Sequence, residues 1–162
     1  MITSQETEPA AGWNYAFLKN AVSDGAAAGR RIIDCYFDAL SDSQDPLTMA
    51  CVDLSRIDRV MAEMDQFFPP INEKISEKHF TELSRVRASS SGFGKSVRVV
   101  GADGYDLVDL ADLISRYGGE NSPVMEALRE AVAYTRSKNT ESGGLSVYQR
   151  KARRDHRVRM KT

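Results

Sequence analysis

Apolar and polar positions along the chain change period several times, and each change predicts an element. From Trp13 the set Trp13, Ala16, Phe17 and Ala21 follows i, i+3, i+4, i+8 spacing, so one stripe of a short helix is expected to face a core. Asp24-Gly25 ends it. A longer amphipathic helix is predicted from about Ala26 to Leu40. Gly29, Ile32, Ile33, Tyr36, Phe37 and Leu40 lie on one side of it, and Arg30, Arg31, Asp34 and Asp38 mostly on the other. The turn formers Ser41 to Pro46 follow. They lead into Leu47-Thr48-Met49-Ala50-Cys51-Val52-Asp53-Leu54, whose unbroken apolar character and bounded length predict a buried strand over 47–53, the most central in the fold.

Ser55 is the expected N-cap of a helix to about Phe67, with Ile57, Val60, Met61, Met64 and Phe67 as its stripe, and Pro69-Pro70 stops it. Helical spacing resumes at once through Ile71, Ile75, Phe80, Leu83 and Val86. The Gly- and Ser-rich segment 89–104 reads as a surface connection with a short strand at Val97–Val100. Two further helices are predicted over Tyr105–Tyr117 and Pro123–Lys138, then a short edge strand over Gly144–Tyr148. Apart from the short strand at 97–100, strands in 1–6, 47–53 and 144–148 make three between long helical stretches. Parallel strands require helical crossovers, so a layered, helix-rich α/β fold is expected. Three strands are few for 162 residues, which leaves a mostly helical domain or strands that lie outside this sequence.

Charge divides the chain in two. The 22 Lys and Arg nearly balance the 23 Asp and Glu, but residues 150–162 hold seven of the basic residues and one Asp. That leaves 15 basic against 22 acidic before them. The basic end is a candidate for non-specific phosphate contacts, yet it has no aromatic residue for base stacking. A disordered, solvated tail over 149–162 is the plainer expectation, which makes nucleic acid an unfavoured partner. No apolar run nears the ~20 residues of a membrane span, so no membrane is expected.

Local chemistry is sparse. Cys35 lies mid-helix among apolar neighbours and Cys51 within the central strand, so both read as packing residues rather than nucleophiles. Two cysteines with His79 and His156 make neither a disulfide framework nor a tetrahedral zinc site, and no metal or other cofactor is implied. Ser89 to Ser96 ends in Gly-Lys-Ser, but Ser89 stands where a phosphate-binding loop needs its first glycine, so nucleotide binding is not supported.

The segment Ser4-Gln5-Glu6-Thr7-Glu8-Pro9-Ala10-Ala11-Gly12-Trp13-Asn14-Tyr15 resembles the Ser-x-Glu-x-x-Pro-Gly-x-Gly-Trp-x-Tyr stretch of clostripain-like cysteine peptidases. Three features agree in order: Leu47-Thr48-Met49-Ala50-Cys51-Val52-Asp53-Leu54-Ser55, Tyr105-Asp106-Leu107-Val108-Asp109-Leu110, and Gly143-Gly144-Leu145-Ser146-Val147-Tyr148. The likeness covers roughly residues 3–148. Ala10 departs from it, as do Gln149-Arg150 and the basic run that follows.

The resemblance implies part of a caspase-like three-layer sandwich, with residues 1–148 as the C-terminal part of the peptidase domain. In that family the catalytic His and Cys precede the Ser-x-Glu segment. The chain is therefore expected to lack the catalytic dyad and to be inactive alone, with a second chain carrying His and Cys as a possible partner. The complete enzyme would cleave peptide or protein substrates after Arg or Lys. In this reading Thr3, Ser4, Gln5 and Glu6 line the substrate groove. Glu6 either attracts a basic substrate side chain or stabilises the turn before Gly12, while Trp13 and Tyr15 are packing anchors. The reading from a different class is a non-enzymatic helical interaction module whose basic tail binds an acidic partner such as nucleic acid.

Overall fold

The computed structural model describes residues 1–6, 8–9, 12–20, 23–76, 80–93, 107–118 and 120–148. Strand β1 (Ile2–Thr3) is followed by a 3-10 helix (Tyr15–Asn20), helix α1 (Gly25–Ala39) and strand β2 (Leu47–Val52). A 3-10 turn at Leu54–Arg56 leads into α2 (Ile57–Phe67), then α3 (Pro69–Ser76) and α4 (Phe80–Ser89). The second half holds β3 (Gly92–Phe93), β4 (Leu107–Asp109), α5 (Leu110–Gly118), α6 (Pro123–Ala131), β5 (Val132–Lys138) and β6 (Ser146–Tyr148). The result is mixed α/β and helix-rich, with few strands.

Strand β2 is central, as its apolar run requires. It pairs with β1 on one side and β5 on the other in a three-stranded sheet, and all six of its residues are buried. Leu47, Met49 and Cys51 face α1 and build one core with Ile33, Tyr36 and Phe37. Thr48, Ala50 and Val52 point to the opposite face, because side chains alternate along a strand. Helix α1 starts on an Asp24 cap, whose carboxylate accepts from the Ala27 amide at 2.7 Å. Its Gly29 lies so close to β2 that a Cβ there would overlap the Cys51 sulfur.

The pairing itself corrects the parallel expectation. Every strand pair described, β1–β2 and β2–β5 in the first sheet and β3–β4 and β4–β6 in the second, is antiparallel. Long helical intervals also permit an antiparallel return when the intervening helices occupy the sheet's flank.

The predicted helix over 123–138 stops at Ala131, where the chain turns directly into β5. From Val132 exposure alternates residue by residue, and the β-branched or aromatic Val132, Tyr134 and Thr135 favour an extended backbone. The signal was obscured because Leu128, Ala131 and Val132 also fit a helical stripe. Similarly, Leu107–Asp109 is strand β4 and the helix begins only at Leu110. Ser55 does not cap α2: Asp53 caps the 3-10 turn before it, its Oδ1 accepting from the Ser55 amide at 3.0 Å and the Ser55 hydroxyl at 2.7 Å, and α2 follows Arg56 with no side-chain cap. The strand expected at 97–100 lies outside the described residues.

A second core joins α2, α5 and α6 through Val60, Leu110, Ile114, Val124, Met125, Ala127, Leu128 and Ala131. Leu145 and Val147 pack against it and bring the second sheet alongside. Trp13 is an anchor for the first core, meeting Tyr36 edge-on at 6.4 Å while its indole N–H donates to Glu8 at 2.6 Å. Tyr15 is not an anchor. It is 65% exposed on the 3-10 helix, where its ring tilts over Phe17. Tyr15 also stands off the Trp13, Ala16, Phe17 and Ala21 stripe, which is consistent with its exposure.

Candidate functional site

The chain leaves β1 at Ser4, directly beside Thr48 of β2. The register Ile2↔Cys51 and Thr3↔Ala50 continues the ladder, and Met1 and Val52 exchange two hydrogen bonds of 2.7 Å at its far end. At Ser4 a turn replaces the ladder. The Thr48 hydroxyl oxygen accepts the Gln5 amide at 2.8 Å and the Glu6 amide at 2.9 Å. With both its acceptor positions engaged, Thr48 has its own proton left to donate, and the Ser4 oxygen lies 3.2 Å away. Ser4 in turn donates toward the carbonyls of Thr48 and Glu6, each at 2.8 Å. A buried hydroxyl in an apolar strand thus satisfies two amides that have no partner strand.

Gln5 is the most deeply placed of the four predicted residues, at 5% exposure. Its amide nitrogen donates to Asp109 Oδ2 at 3.1 Å, the Leu145 carbonyl at 2.8 Å and the Ser146 hydroxyl at 2.8 Å. Its carbonyl oxygen accepts from the Ser142 hydroxyl and from the Gly144 amide at 3.2 Å. Asp109, 2% exposed, ends β4 and caps α5, where its Oδ1 accepts the Asp112 amide at 2.9 Å. Its Oδ2 also accepts the Gly143 amide at 2.6 Å. Three N–H donors therefore surround a carboxylate removed from water, as a buried charge requires. Glycine is needed at 143, since a Cβ would come within 2.7 Å of both Asp109 Oδ1 and Ala111 Cβ.

This network joins the two sheets at the Thr48 end of β2. Thr3, Ser4 and Glu6 are each partly exposed beside it, whereas Gln5 turns inward. Among the described residues, β1 has β2 as its sole sheet neighbour, and no described strand pairs with the other side of Ile2–Thr3 beside the Ser4–Glu6 turn. A recess of about 250 Å³ adjoins Asp109 and is lined by Ser91, Asp112, Arg116, Glu141 and Ser142. A larger cleft of about 480 Å³ lies at the opposite end of β2, between Met1, Asp24, Cys51, Asp53 and Ser55.

The sequence-based set contained Gln5 but missed Thr48, Asp109 and Ser142. Thr48 carried one usable signal, a hydroxyl inside an otherwise apolar strand. The helical reading of Tyr105–Tyr117 puts Asp109 inside a helix, whereas it caps one. Cys51 is buried under α1 and Cys35 is half-buried on it, while His79 and His156 lie outside the described residues. Among the described residues no group of three or more His, Cys, Asp or Glu side chains could hold a metal ion, and no helix is long and apolar enough to cross a membrane. Residues 94–96, which complete the Gly-Lys-Ser segment, and the basic tail 149–162 also lie outside the described residues.

A comparison with curated proteins returns no match. The model of the clostripain family matches residues 1–150, a span that holds the Ser4–Tyr15 segment, central strand β2 and the Gln5–Asp109 joint. The chain therefore belongs to the clostripain family, a family of cysteine-peptidase type.

Proposed function

We propose that this chain forms the substrate-groove wall and scaffold of a clostripain-type cysteine endopeptidase of caspase-like architecture, and that the catalytic His and Cys come from another segment. The observation that carries the reading is the Ser4–Glu6 turn, fixed by Thr48 and flanked by the side of β1 that no described strand pairs. An extended peptide can pair along such an edge through its main chain. The Glu6 carboxylate then attracts a substrate Arg or Lys, with a charge-assisted hydrogen bond as the source of selectivity.

In the complete enzyme a thiolate attacks the scissile carbonyl, and an imidazolium returns a proton to the leaving amine. Water then hydrolyses the acyl-enzyme. Residues 1–148 hold substrate in this scheme and take no part in the bond changes.

An Arg-containing fluorogenic peptide tests it. The 162-residue chain alone is expected to give no turnover, and a polypeptide carrying the His and Cys is expected to restore it. Turnover by this chain alone that disappears in Cys35→Ala or Cys51→Ala would overturn the assignment.

A further inference from the structure

The backbone of the Ser4–Glu6 turn is held by two side-chain hydroxyls rather than by a neighbouring strand. Thr48 Oγ1 takes the Gln5 and Glu6 amides at 2.8 and 2.9 Å, and Ser4 Oγ closes the turn onto the Glu6 carbonyl at 2.8 Å. The two oxygens are 3.2 Å apart, so they form one hydrogen-bonded unit. Thr48 is 1% exposed and sits on the rigid central strand, which gives the unit a fixed origin.

From these contacts we infer that Thr48 and Ser4 are positioning residues for basic-residue recognition. Their hydroxyls fix where the backbone presents the Glu6 side chain, and so set how strongly that carboxylate discriminates a cationic from a neutral side chain. The inference rests on the reading of Glu6 as the recognition carboxylate. Its physical basis is geometric: a carboxylate forks onto a guanidinium only when its backbone is held in place, and a turn tied by neither strand nor hydroxyl samples many orientations. Gln5 adds a tie from the other sheet through its side chain, distinct from the two backbone amides that Thr48 accepts.

The test uses two peptides that differ in charge but hardly in shape, acetyl-Ala-Ala-Arg-amide and its citrulline counterpart. They are titrated against the isotopically labelled full 162-residue chain and followed by NMR shifts. The unaltered chain is expected to prefer the Arg peptide. Thr48→Val, close in shape but without the hydroxyl, is expected to reduce that preference about tenfold, while Thr48→Ser retains it. Ser4→Ala removes the hydroxyl that closes the turn onto the Glu6 and Thr48 carbonyls and leaves every buried side chain of β2 in place. It is expected to lower the preference about threefold, and it carries the test if Thr48→Val fails to fold. Amide exchange at Gln5 and Glu6 should accelerate in Thr48→Val and not in Thr48→Ser.

The two ways of failing are distinct. Equal affinity of the unaltered chain for both peptides overturns Glu6 as the recognition group, and this inference with it. A preference for Arg that survives both Thr48→Val and Ser4→Ala leaves Glu6 standing and overturns the positioning role alone.

Discussion

The Gln5 side chain reaches Asp109 across 104 positions of sequence, donating to Oδ2 at 3.1 Å, and this contact pins the start of the first sheet to the last residue of β4 in the second. Both groups are buried and carry several other bonds, so the pair acts as a joint between the two sheets rather than as surface decoration. It also lies one residue from Glu6, which ties the proposed recognition turn to the fold as a whole.

Removal of this joint should be costly. Asp109→Ala strips the α5 cap and leaves the Gly143 amide without its acceptor, while the two Gln5 Nε2 protons keep the Leu145 carbonyl and the Ser146 hydroxyl. A cap is worth about 1 kcal/mol and each buried orphan about 1–3 kcal/mol. A loss of about 2–4 kcal/mol is expected in urea unfolding. A change below about 0.5 kcal/mol, the range of an ordinary surface substitution, would show that the joint does not carry stability.

Close approach of α1 to β2 makes a paired prediction. Gly29→Ala drives a methyl into the Cys51 sulfur and is expected to cost about 1–3 kcal/mol by overpacking. Cys51→Ala removes the obstacle, so the double variant should be more stable than the sum of the two single losses implies. Strict additivity in the cycle would mean that α1 and β2 are not in contact there.

The same packing separates the two thiols. Cys51 is buried while Cys35 is half-buried, so 5,5′-dithiobis(2-nitrobenzoate) should modify Cys35 rapidly and Cys51 only as the fold opens. Comparable rates in the native chain, measured on Cys35→Ser and Cys51→Ser, would contradict the burial of Cys51.

Acid sensitivity should involve the α2–α6 brace. The hydrogen bond from Arg59, followed by the charges of Arg59 and Arg56, holds the Glu130 carboxyl below the usual carboxylate range. The Ser55 hydroxyl and amide do the same for Asp53. Because both groups bind protons less tightly in the folded state, their contribution is complete above the ordinary carboxylate range. It disappears as pH falls through their lowered folded values. The melting temperature should therefore drop below about pH 4, with a shallower drop in Glu130→Gln and in high salt, since these pairs are exposed. An acid limb of identical slope in Glu130→Gln would remove the brace from the explanation.

At the alkaline end, the Asp34 hydrogen bond raises the Tyr134 hydroxyl, with burial as the second cause. Burial, then the Glu8 charge, raises Tyr36. Their stabilisation is present at neutral pH and is lost as pH rises above the ordinary tyrosine range. Tyr134→Phe should flatten the upper limb of the stability profile, and an unchanged limb would exclude the Asp34 contact as its source.

Short-range periodicity sufficed for α1, α2 and β2, because each has a long run of one period and a defined break: Asp24 before α1, Pro69 after α2, and the 41–46 turn before β2. The motif spanning Ser4 to Tyr15, with the three later segments, was enough to place the chain beside clostripain-like peptidases. Where one apolar set fits two periods, as at Leu128–Val132, sequence cannot decide where helix gives way to strand. There, pairing of Val132–Lys138 with β2 decides it. Strand direction, too, depends on which edges meet after the helices have packed. The Thr48 tether and the Gln5–Asp109 joint are likewise tertiary facts. Each satisfies a buried polar group with a partner about 40 to 140 residues away, and that demand arises only once the chain has removed those groups from water.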